Sequence, residues 1–117
     1  MKPIEIGGFS FKVTCPYTFT ERTDLCALIN RTCEDIKMTL VDVNGVPFTQ
    51  HHLEQTIIHE ILHGVDYIYN NDSLGEAQVE RLSMGLYQVL QKNNIYEIFN
   101  ALAELSKKSV TSDATKE

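Results

Sequence analysis

His59, Glu60 and His63 fall within five consecutive positions, and their types and spacing suit metal-assisted hydrolysis. Residues four apart on a helix stack on one face, so the two histidines can offer ring nitrogens to a single ion. Glu60 lies about 100° further round the same helix, where it reaches a water held by that ion. Zinc in such a place lowers the pKa of its water to about 7, and a neighbouring carboxylate serves as general base for attack on a carbonyl. The other positions from Thr56 to Val65 are uncharged and mostly bulky and apolar. Such surroundings keep a metal site dry and strengthen its electrostatics. The plainer alternative makes His59 and His63 polar-face residues and Glu60 a solvated charge.

A catalytic zinc takes three protein ligands and leaves one position to water. No histidine or cysteine follows His63, and Asp66 and Tyr69 stand where an extended His-x-x-Gly-x-x-His pattern needs other residues. A carboxylate must therefore complete the set, from Asp66, Asp72, Glu76 or Glu80. Asp66 is one turn on from His63, and its short side chain leans back toward that ring rather than toward the metal, which suits an acceptor for the far ring N–H of a ligand. Asp72 reads as a turn or cap residue. Glu76 and Glu80 are four apart and share a face of the next helix, so one can ligate while the other supports. Ser73-Leu74-Gly75-Glu76 also fits a capping box, in which Glu76 would bond the Ser73 backbone, and Glu80 could be an exposed helix charge. Spacing alone leaves the two level. An oxyanion stabiliser is available among Tyr67, Tyr69, Tyr87, His51 and His52, and the sequence does not choose one.

The elements that must carry these groups follow from periodicity. Ile4-Glu5-Ile6 and Phe9-Ser10-Phe11-Lys12-Val13 alternate apolar and polar residues across Gly7-Gly8, which predicts two strands and a turn, closed by Pro16. Residues Thr23–Asn30 suit a strand or a short helix equally. Ile36–Val41 predicts a strand stopped by Asn44-Gly45. From Thr49 the period changes to about 3.6. Leu53, Ile57, Ile61 and Val65 make one stripe, widened by Ile58, Leu62 and Tyr69, in a helix capped by Thr49 and ended by Asn70-Asn71-Asp72. A second helix is expected from about Gly75 to Gln91, with Val79, Leu82, Leu86 and Leu90 on its apolar face. A third is expected over Ile95–Leu105, and the polar stretch from Lys107 reads as a disordered tail. The expectation is an α+β fold, a small N-terminal antiparallel sheet followed by three helices, with residues 1–106 as one domain.

Length and composition agree. A chain of 117 residues, 43% of them hydrophobic, suits a single domain with its own core. A formal net charge of −6 argues against a nucleic-acid or anionic-membrane surface. Cys15, Cys26 and Cys33 show no CxxC spacing and read as reduced thiols. With no signal-peptide pattern and no spanning stretch, the expected location is the cytoplasm.

The segment from about Gln55 to Asn94 resembles the gluzincin metallopeptidases, in which His-Glu-x-x-His is followed by a glutamate on the next helix. The residues that carry this are His59-Glu60-x-x-His63-Gly64-x-Asp66, then Glu76-x-x-Val79-x-x-Leu82-x-x-Gly85-Leu86. The likeness is greatest to the very small members found in phages and prophages, and the second helix is also similar to that of proteases that cleave phage repressors. The resemblance implies a zincin-like minimal domain, one zinc per chain and hydrolysis of peptide bonds in a protein or peptide substrate. It also implies Glu76 as third ligand, with Glu80 in support or as the alternative. An extended substrate would add to a sheet edge, for which Ile36–Val41 is the candidate strand. The first third carries no motif of that group. A zinc-binding interaction or regulatory module of phage origin, without turnover, is the competing function. Glu60 speaks against it, since structural zinc sites usually close all four positions with Cys and His.

Overall fold

The computed structural model describes residues 1–20 and 22–116, with side-chain surroundings described as far as Lys108. Strand β1 (Ile4–Ile6) turns through Gly7 and Gly8 into β2 (Phe9–Thr14), pairing Ile4 with Phe11 and Ile6 with Phe9. Both glycines have positive φ, 58° and 86°, as a tight hairpin whose twist matches its strands requires. Strand β3 (Ala27–Asn30) and β4 (Asp35–Met38) form a second antiparallel pair. Asn30 organises the turn between them, its side-chain oxygen accepting from the N–H groups of Thr32 and Cys33 at 3.0 Å each.

The sheet order is β1-β2-β4-β3, and β2 runs parallel to β4. The sheet is therefore mixed, and the expected all-antiparallel arrangement is corrected. The long connection after Thr14 crosses over to lay down β3 first, so β4 returns beside β2 in the same direction. β4 lies inside the sheet rather than at the expected edge, and the edge strand beside the helices is β3, from the stretch whose periodicity did not separate strand from helix. Val41 makes only an isolated bridge to Pro47, around a turn in which the Asp42 carboxylate accepts from the N–H groups of Asn44 and Val46.

Helix α1 (Gln50–Tyr69) starts at Thr49, whose hydroxyl accepts from the His52 N–H at 3.2 Å, and ends at Asn70. Leu53, Ile57, Ile61 and Val65, the predicted stripe, pack on the buried cluster of Ile6, Phe11, Ala27, Ile36 and Met38. Tyr69 is exposed. Gly64 faces the sheet so closely that a Cβ there would stand 2.7 Å from Ile6 Cδ1 and 3.0 Å from Ile29 Cδ1.

Helix α2 spans Glu76–Lys92 and buries Val79 and Ser83, while Leu82, Leu86 and Leu90 of the expected apolar face are exposed. Helix α3 spans Ile95–Lys116. It runs past the expected end at Leu105; residue 117 lies outside the described residues. Contacts gather into two compact units. Met1–Tyr87 contains the sheet, α1 and most of α2, and Gln88–Glu117 contains the end of α2 and α3. Among the described residues no helix is long and apolar enough to cross a membrane.

Candidate metal centre

One turn of α1 carries both histidines, and their Nε2 atoms stand 3.1 Å apart. The first turn of α2 brings Glu76 onto them, with Oε1 2.8 Å from His59 Nε2 and Oε2 2.9 Å from His63 Nε2. His59, His63 and Glu76 form a group that could hold a metal ion. The donor set fits one. Zinc–nitrogen bonds of about 2.0–2.1 Å in a tetrahedral site put neighbouring ligand atoms roughly 3.3 Å apart, close to the spacing of the two rings. Two imidazoles and a carboxylate also leave a fourth position open.

The far nitrogen of His59 is held as well. Glu80 Oε2 lies 2.9 Å from His59 Nδ1, the carboxylate–histidine arrangement that fixes the orientation of a ligand ring. Glu76 and Glu80 therefore sit on opposite nitrogens of one ring. The His59 and His63 side chains are 13% and 25% exposed, against 71% for Glu76 and 52% for Glu80. The centre is thus closed on the α1 side and open where α2 meets solvent.

Glu76 is released for this role by its neighbour Gln78. The Gln78 side-chain oxygen accepts from the Gly75 N–H at 2.7 Å, and Gly75 O accepts the first helical bond, from Val79 N. The Ser73–Glu76 capping box is thus not formed; its backward half, a side chain accepting from the cap N–H, is made two positions further on, by Gln78 at Gly75.

Glu60 is 7% exposed. Its Oε2 accepts from the Ile29 N–H of β3 at 2.9 Å. Burial raises its carboxyl above the usual range, while the His63 and His59 rings and the Ile29 N–H pull the other way. Glu60 and His59 line a cleft of about 300 Å³ together with His52, Thr56 and Glu80, walled by Cys26 and Ala27 at the head of β3.

Asp66 stands elsewhere. It is 1% exposed, and its carboxylate accepts from Asn70 Nδ2 at 2.9 Å, Ser73 N at 3.2 Å and Leu74 N at 3.3 Å. These bonds belong to the α1–α2 turn rather than to a histidine ring. Asp72 has positive φ in that turn and pairs with Arg31 at 2.9 Å. Of the aromatic candidates, Tyr87 donates to Glu54 at 2.6 Å and lies 2.8 Å from His51 Nδ1; Tyr67 lies under the Arg31 guanidinium; His52 alone among them lines the cleft. Sequence reasoning missed the Ile29 N–H, Cys26 and Ala27, because nothing local marks residues 26–29 as the wall of a site formed thirty positions later. The three cysteines are free thiols.

No family model, curated protein or solved structure matches this chain.

Proposed function

We propose that this chain is a zinc-dependent endopeptidase. The observation that carries the reading is the convergence of His59, His63 and Glu76 on one point, with the buried Glu60 carboxylate lining a cleft together with His59. Zinc held by the three ligands supplies Lewis acidity and a water of lowered pKa. Glu60 takes the proton from the attacking water and delivers it to the leaving amine; a carboxylate with a raised pKa suits both halves of that transfer. Glu80 fixes the orientation of the His59 ring. The edge of β3 forms one wall of the cleft at Ala27, before the Ile29 N–H that Glu60 holds, so an extended peptide pairs there and lies across the centre.

Metal content of protein purified without added metal, by elemental analysis, is the first test, followed by cleavage assays on the wild type and on Glu60→Gln. About one zinc per chain with cleavage lost in Glu60→Gln supports the peptidase. One zinc per chain without cleavage in either protein leaves a zinc-binding module, and absence of metal binding on titration removes both readings.

A further inference from the structure

Next to the metal cleft lies a second cavity of about 330 Å³, with Phe19, Leu25, Val41, Val43 and Phe48 among its lining residues. Its volume is at the lower end of ligand pockets, roughly 300–1,000 Å³, room for one large side chain rather than a whole cofactor. The two cavities share Cys26. They are joined again through Phe48, whose ring stacks at 4.3 Å on His52, a residue of the metal cleft. The two carboxylates at this cavity are already engaged, Asp24 with Arg22 at 3.2 Å and Asp42 with the turn N–H groups of Asn44 and Val46. What remains to meet a ligand is the five aromatic and aliphatic side chains, with Cys26 and the threonines Thr18, Thr23 and Thr39 beside them. The rim continues that character, with Val43 68% exposed.

We infer that this cavity is a specificity pocket for a large apolar side chain of the substrate, an inference that rests on the peptidase reading above. The edge strand gives the register. Ile29 bonds Glu60, Ala27 lines the cleft and Cys26 lines both cavities. A strand advances about 3.3 Å per residue, so the step from Ile29 to Cys26 covers roughly 10 Å. A peptide paired along β3 with its reacting carbonyl beside Glu60 therefore places in the pocket a side chain two or three residues from the bond that is cut. The pocket acts on selection, and the chemistry stays with Glu60.

Two measurements on the full-length protein test this. In the first, the zinc-loaded chain is given a diverse peptide library and its cut sites are read by mass spectrometry. Phe, Leu or Met should be enriched at one position, two or three residues from the cut. Val43→Asp should lower the kcat/KM ratio of a peptide with Phe there over one with Ala there by about 10- to 100-fold. In the second, Cys26 alkylation is followed with and without acetyl-phenylalanine amide, with the exposed Cys33 as internal reference. The amide should slow Cys26 and leave Cys33 alone, and acetyl-aspartate amide should do neither. Cleavage with no positional preference and unprotected Cys26 overturns the pocket while the peptidase stands. No cleavage at all removes the peptidase reading; protection of Cys26 then still supports an apolar side-chain site, and its absence overturns that too.

Discussion

Helix α1 buries two carboxylates six residues apart, and they do opposite things. Asp66 collects N–H donors from Asn70, Ser73 and Leu74 and so fixes the turn that sends α2 back toward α1. Glu60 takes one N–H from Ile29, lines the cleft and has its carboxyl raised by burial. A buried acid saturated by local donors is structural, whereas one held by a single donor at the wall of a cleft keeps proton-transfer capacity. The turn places Glu76 and Glu80 against the His59 ring.

Mutations at the two acids should separate these roles. The largest effect is expected for Glu60→Gln, where loss of a general base should lower kcat by about 10³-fold with zinc content and melting temperature retained; a large fall in zinc content would mean that Glu60 is part of the metal's support. Asp66→Ala should reverse the pattern. Several N–H groups lose their acceptor, destabilising the protein by on the order of 3 kcal/mol in urea unfolding, and zinc affinity should fall with the turn. If Asp66→Ala is as stable as the wild type, the division between the two acids is wrong. Next come the carboxylates that the turn delivers. Glu80→Gln should weaken zinc binding by about 10- to 100-fold in a chelator competition, and Glu76→Gln by more; the reverse ranking would exchange ligand and support. The smallest effect is expected at Tyr87, whose phenol is pushed up to about 12 by its bond to Glu54, while that bond holds the Glu54 carboxyl below its usual range. Tyr87→Phe should return Glu54 toward 4.5 in an NMR titration. A depressed carboxyl contributes stability above its unfolded pKa and loses it as pH falls through the folded value. The variant should therefore show slightly less acid-sensitive stability than the wild type, with zinc affinity unchanged.

His59, Glu60 and His63 were legible because a four-residue spacing is a local property of a helix. The α1 stripe and the Gly7-Gly8 and Asn44-Gly45 turns were legible for the same reason. Strand order was not, since the pairing of Val13 with Ile36 depends on a crossover that no local pattern encodes. Asp66 was placed on the correct helix but assigned to a histidine, because its acceptors' partners come from a loop whose path depends on the left-handed Asn71 and Asp72. Spacing left Glu76 and Glu80 level and the resemblance favoured Glu76; in the structure Glu76 meets Nε2 of His59 and Glu80 meets its Nδ1.

Gly64 follows the second histidine directly, and the nearest neighbours of its missing Cβ are Ile6 of β1 and Ile29 of β3. The space beside Gly64, between the histidine-bearing helix and the sheet, is therefore filled by the ends of two isoleucine side chains. A side chain at this position requires the δ-carbons of those two isoleucines, one on each strand, to give way. Substitution at Gly64 thus acts on the packing between α1 and the strand that carries the Ile29 N–H, from a position outside the His59, His63 and Glu76 group.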